Sequence, residues 1–287
     1  MEKRNLIIGG FTNYGINQLK PWVLSAKEVA DKNTDVVLVY GNASQETLDW
    51  LTEQGVLLWP MVQQPGIPPH VMRFHSLYDF MTYKWQEYNY VVATDVKDVY
   101  FQKDPTEFVE WHCKNYENAY DYVIASEGLK YKDEPWGNEN LMQAYGPYVY
   151  EHFKDNEIFN VGTFGGKSEF MKDMFFNIFT NAINRPIPIV DQAVFNVLIN
   201  TQPFKNTTYE SNNWAAELGT IMDPSKIEQF RPNLLVVEPF FEDGVLKDYK
   251  DNIYAIVHQY DRVPEIKKFV QEKYGQEDES QYFIYRT

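Results

Sequence analysis

Two rhythms of apolar and polar residues alternate along this chain. Residues 6–10 form a short apolar run ending in glycines, and the polar turn Thr12-Asn13-Tyr14-Gly15 follows. Apolar residues then fall at helical spacing, at Leu19, Trp22, Val23, Ala26 and Val29. Residues 35–40 are rich in β-branched side chains and predict a strand. Ser44 suits the cap of a helix over 45–54 that Gly55 closes. A strand over 56–62, a Pro-rich loop over 65–69, a helix over about 71–86 and a strand over 90–95 complete the first half. The second half is less regular. It predicts strands over 121–126, 158–166 (broken by glycines), 234–237 and 254–258, and helices over 168–184 and 190–200, the latter after Pro186 and Pro188.

Strands alternating with helices predict an α/β fold, a central mostly parallel sheet flanked by helices on both faces. Right-handed crossovers make the first half Rossmann-like. No internal repeat or flexible linker stands out, which predicts a single domain over 1–287, with a polar, acidic tail over 275–287.

Composition narrows the function. A chain of 287 residues with 44% hydrophobic content can bury a large core, and 21 Tyr and 19 Phe suit stacking or sugar-contacting surfaces. The formal charge of -15 argues against general binding to nucleic acid or anionic membranes. A phosphorylated ligand would need locally placed cations or a bound metal. The single cysteine, Cys113, excludes an intrachain disulfide framework and suits a reducing compartment. The N-terminus runs straight into a strand, and no apolar run reaches the roughly 20 residues of a membrane helix. The expectation is a cytoplasmic protein, with the glycosylation-like triplets at Asn42 and Asn206 as chance matches.

Candidate chemistry gathers at predicted loop positions. The apolar strand ending at Asp95 is followed three residues later by Asp98. Two carboxylates at the C-terminal end of a buried strand suit a hard divalent cation, and ligands of open α/β sheets bind at such ends. Residues three apart on a strand point to opposite faces, so the chain must leave strand geometry if the two act together; otherwise they are a solvated acidic turn. Thr12-Asn13-Tyr14 could hold a base or ribose edge, or simply turn into a helix. Arg73 could meet a phosphate or pair with a surface acid. Asp191 could act chemically or favour a helix dipole. His258, at a strand end, could ligate a metal or be structural. There is no dinucleotide Gly-x-Gly-x-x-Gly, no complete phosphate-binding loop, no Gly-x-Ser-x-Gly elbow and no Cys/His zinc pattern.

The ordered set of Arg73, the strand ending in Asp95, Asp98, Asp104-Pro105, Asn160-Val161-Gly162 with Gly165-Gly166, Asp191-Gln192 and His258 resembles the GT-A class of nucleotide-sugar glycosyltransferases. The resemblance spans roughly residues 5–265. It implies a nucleotide-binding half over 1–105 and a donor-sugar and acceptor half over 106–270. The partners it implies are a nucleotide-sugar donor, by family frequency UDP-linked, and a glycan or glycoconjugate acceptor. Mn²⁺ or Mg²⁺ would be held by Asp98 and His258 with help from Asp95. Thr12, Asn13, Tyr14, Arg73, Asp95, Asn160, Gly162, Gly165 and Gly166 would bind the donor; Asp191 and Glu127 are the catalytic candidates; Trp214 and Trp136 would stack on the acceptor sugar. One departure stands out: the family's Asp-x-Asp is Asp95-Val96-Lys97-Asp98 here. Aligning Asp98 with the metal-binding aspartate leaves Val96 in place of the first aspartate, so Asp95 can serve only if the turn bulges. Other readings are a different metal-dependent nucleotide enzyme, such as a sugar nucleotidyltransferase or phosphohydrolase, and a non-catalytic carbohydrate-binding protein.

Overall fold

The computed structural model describes residues 3–277, except 63, 116–119, 186, 188, 207 and 212. Pro186, Pro188, Thr207 and tail residues 278–287 therefore lie outside the described residues.

In chain order the elements are β1 (Arg4–Phe11), α1 (Ile16–Val29), β2 (Thr34–Tyr40), α2 (Gln45–Glu53), β3 (Leu57–Pro60), α3 (Pro69–Lys84), β4 (Tyr88–Thr94), β5 (Val99–Phe101) and α4 (Pro105–Lys114). They continue with β6 (Tyr122–Lys130), α5 (Pro135–Phe153), β7 (Glu157–Lys167), α6 (Ser168–Ala182), α7 (Asp191–Ile199), β8 (Thr208–Ser211), β9 (Ala215–Glu217), α8 (Leu218–Ile221) and α9 (Ile227–Phe230). The chain closes with β10 (Phe240–Glu242), β11 (Val245–Lys247), β12 (Ile256–His258) and α10 (Pro264–Tyr274).

Among the described residues, seven strands form one sheet in the order β3-β2-β1-β4-β7-β6-β8. Every neighbouring pair is parallel except the two made by β7, which runs antiparallel between β4 and β6. Central strands of a sheet covered on both faces must be apolar on both faces, which is why β1 and β4 read as continuous hydrophobic runs. Their alternation sorts two cores. Leu6, Ile8, Val91 and Ala93 pack with α3, α6 and α7 on one face, while Ile7 and Val92 pack with Trp22 of α1 and Val109 of α4 on the other. The mostly parallel α/β sheet flanked by helices agrees with the expectation from sequence.

Two local expectations change. Residues 158–166 do not break: they lie within one continuous strand, β7. Residues 234–237 are not a strand. Leu235 makes one backbone bond, to the Gly128 carbonyl, while Leu235 and Val237 face solvent, so the alternation there is of a chain lying on the surface rather than of a ladder.

A second, three-stranded sheet has the order β5-β12-β9. Its register sets His258 opposite Val99 on one side and opposite Glu217 on the other. Three chain-distant segments thus meet at the C-terminal end of β4.

Candidate active site

β4 ends at Thr94, and one last bond in register with β7 holds the next residue: the Asp95 N–H donates to the Gly162 carbonyl at 2.8 Å, after which the chain leaves the ladder. Val96 then turns inward and is buried among apolar side chains beside Gly9, where a Cβ would lie 2.5 Å from the Val96 Cγ2. A turn over 96–98, rather than the bulge expected, carries the chain into β5. Because Val96 is spent on the core, Asp95 and Asp98 stand on the same side of the turn. His258 Nε2 lies 3.5 Å from Asp95 Oδ2 and 3.6 Å from Asp98 Oδ1. One ligand atom from each of the three residues falls within 4.8 Å of the others.

The far side of the His258 ring is also held. Nδ1 lies 2.6 Å from Glu217 Oε2, and Glu217 is completely buried. Burial alone would lower the His258 pKa, but Glu217 and Asp98 together raise it to about 10. For Asp98, burial favours the neutral acid, yet the His258 imidazolium and the Arg262 guanidinium hold its carboxyl below the usual range.

Arg73 reaches in from α3 and joins two acids. It bonds Asp95 through Nη1 and Asp191 Oδ2 through Nη2, the latter at 3.1 Å. Gly10 permits this approach, since a Cβ there would press on the Arg73 Cβ at 3.2 Å. Gly162 is required for a similar reason: its missing Cβ would sit 2.6 Å from Asp95 Oδ2. Asn160 accepts the Gly162 N–H at 2.7 Å and donates to Glu127 Oε1 at 2.8 Å, where Gln192 Nε2 also donates at 3.0 Å. Burial, with the nearby Glu217 and Glu134 carboxylates, pushes the Glu127 carboxyl up to about 7 despite these two donors.

A cleft of about 310 Å³ opens over this cluster, lined by Asp95, Glu127, Asn160, Asp191, Thr220 and His258 and, toward solvent, by the exposed Trp136, Lys226 and Arg262. A second hollow of about 230 Å³ adjoins Arg73 and is lined by Phe11, Thr12, Tyr14, Met61 and His70. Asn13 holds the turn above it in a left-handed conformation (φ 60°), with its N–H on the Asn42 carbonyl at 2.7 Å. A larger hollow, about 460 Å³, lies beside Phe170 and Phe204 and contains none of these groups.

Three expected site residues lie elsewhere. Trp214 is 1% exposed, stacks on Phe108 at 5.6 Å and donates its indole N–H to the Ile124 carbonyl at 3.3 Å; it is a core side chain with no face for an acceptor. Gly165 and Gly166 pair with Val92 and Val91, inside the sheet and away from the strand end. They are glycines for packing: a Cβ on Gly166 would lie 2.2 Å from the Asp121 carbonyl oxygen, and one on Gly165 would meet Val91 O and Val109 at 2.8 Å. Trp136, by contrast, is 47% exposed at the cleft. Glu217, Lys226 and Arg262 are not among the residues that the sequence marks, whereas Gln192 belongs to the Asp191-Gln192 station. Arg262 sits four residues after His258; nothing local marks Glu217 or Lys226.

No protein-family model and no curated protein matches the chain. Among solved structures it is similar to that of WbbM, a bifunctional glycosyltransferase in apo form, with a TM-score of 0.59 and 13% sequence identity. The match covers 100% of this chain and 52% of that one, so the chain spans about half its length. What the two share is the fold, here a mostly parallel sheet flanked by helices. No helix among the described residues is long and apolar enough to cross a membrane.

Proposed function

We propose that the chain is a metal-dependent glycosyltransferase of the GT-A type, moving a hexosyl or pentosyl group from a nucleoside-diphosphate sugar, UDP-linked, to a hydroxyl of a glycan or glycoconjugate. The observation that carries this reading is the convergence of Asp95, Asp98 and His258 Nε2 at the C-terminal end of β4, with the Arg73 guanidinium beside them. Two carboxylates and one imidazole whose other nitrogen is engaged form a donor set that fits a divalent cation. The mixed oxygen and nitrogen donors favour Mn²⁺ over Mg²⁺. When bound, the ion supplies Lewis-acid neutralisation of charge on the departing nucleoside diphosphate.

The protein's own groups take the remaining roles. Arg73 and Arg262 add positive charge on the diphosphate side. The hollow beneath Thr12, Asn13 and Tyr14 takes the nucleoside, which makes 1–105 the nucleotide half of a single domain. Asn160 and the bare backbone of Gly162 lie along the donor sugar. Glu127, with a pKa near neutrality, suits proton transfer with the acceptor hydroxyl, and Asp191 is placed to hold a sugar hydroxyl. Trp136 offers the acceptor an exposed ring. The test is a screen of nucleotide sugars for hydrolysis or transfer in Mn²⁺ and in EDTA. Turnover of at least one UDP-sugar in Mn²⁺ alone is expected; no turnover or stabilisation by any nucleotide sugar contradicts the proposal.

A further inference from the structure

An imidazole can give Nε2 to a metal only in the tautomer that keeps its proton on Nδ1. In this fold Glu217 is placed to make that choice. β9 and β12 set it directly opposite His258, and its Oε2 lies 2.6 Å from Nδ1. A carboxylate accepts but does not donate, so this bond keeps a proton on Nδ1 and leaves Nε2, which faces Asp95 and Asp98, as the nitrogen that yields its proton to a cation. The Glu217 side chain is wholly buried, and its other oxygen, Oε1, has no hydrogen-bond partner among the described residues. No donor there draws charge away from the imidazole. A buried carboxylate whose one oxygen serves an imidazole and whose other serves nothing is costly for folding alone. A carboxylate behind a metal-binding imidazole raises ligand basicity and fixes the ring.

We propose that Glu217 is the positioning residue of the metal centre, fixing His258 as an Nδ1–H donor so that Nε2 faces the cation; this rests on the metal-dependent reading above. Its effect is on cation affinity, not on the cleft's shape. Glu217→Gln keeps an oxygen that can accept from Nδ1–H. Its amide can also donate to a bare Nδ1, and the negative charge is gone, so the tautomer is no longer fixed.

Mn²⁺ titration of the full chain, followed by calorimetry and by the electron paramagnetic resonance signal of free Mn²⁺, reads the effect. Glu217→Gln should bind Mn²⁺ about 10- to 100-fold more weakly, with circular dichroism as in the wild type and UDP affinity in EDTA unchanged. Wild-type Mn²⁺ affinity in this variant, alongside lost affinity in Asp98→Ala, overturns the role of Glu217 and leaves the metal centre standing. A wild-type chain that takes up no Mn²⁺ overturns both. Should Glu217→Gln not fold, nitrogen-15 spectra of the Mg²⁺-loaded wild type decide: His258 protonated on Nδ1 supports the proposal, and protonation on Nε2 overturns it.

Discussion

The middle of the seven-stranded sheet and the rim where it meets the three-stranded sheet bury different kinds of residue. The middle is clad on both faces by apolar side chains. The rim gathers polar and charged groups: Glu127 and Asn160 on β6 and β7, Glu217 and His258 on the three-residue strands β9 and β12, and Asp98 just before β5. Apolar cladding stabilises, whereas burying charge costs free energy unless it is paired. The middle of the large sheet should therefore answer to stability and the rim to binding, a division that substitutions can break or sharpen.

The largest expected contrast is between two tryptophans. Trp214→Ala, at the junction of the two sheets, should cost about 3–5 kcal/mol by denaturant unfolding. Trp136→Ala, on an exposed ring, should stay within about 0.5 kcal/mol and act on the acceptor KM instead. Equal stability losses in the two would break the division.

Next come the glycines of β7, identical in type and different in purpose. Gly166→Ala places a Cβ against rigid backbone and should cost about 1–3 kcal/mol while leaving UDP affinity per folded molecule intact. Gly162→Ala presses on a movable carboxylate, so it should cost less stability and displace Asp95, lowering kcat/KM by on the order of 100-fold. Thermal melts and steady-state rates on the same preparations check both.

The third contrast is in pH dependence. The Glu127 carboxyl is raised from 4.5 to about 7 in the folded chain. A raised acid contributes stability that is fully present below pH 4.5 and lost as pH rises through about 7. The full change is of order 2–4 kcal/mol. Glu127→Gln keeps an acceptor for Asn160 and Gln192 and has no charge to bury, so it should gain stability relative to wild type between pH 5 and pH 8. A difference that does not change with pH contradicts the assignment.

This division also separates what sequence makes legible. Long strands such as β1, β2 and β4 announce themselves as apolar runs, and the helices α1, α2, α3 and α6 by spacing or caps. Arg73, Asp95, Asp98 and His258 could be picked out because each sits at the end of such a run or on such a helix. Glu217 could not: Ala215-Ala216-Glu217 is too short to show a strand period, and a lone glutamate reads as solvent-facing until its partner strand is known. Trp214, Gly165 and Gly166 lie in the core and within the sheet, which sequence does not show because residue type does not reveal whether a position lies at the end of a strand or inside the sheet. Helix α5 escaped notice for a local reason. Gly137, Gly146 and Pro147 interrupt its pattern, and Gly146 takes a positive φ of 78° inside it.

The metal centre at the end of β4 is tested most directly by calorimetric titration of UDP into the wild type and Asp98→Ala, each with Mn²⁺ and with EDTA. The expected result is Mn²⁺-dependent UDP binding by the wild type, lost in Asp98→Ala, with both proteins melting within a few degrees of each other (about 1 kcal/mol). UDP binding of equal strength with and without Mn²⁺, or full Mn²⁺-dependent binding by Asp98→Ala, would contradict it.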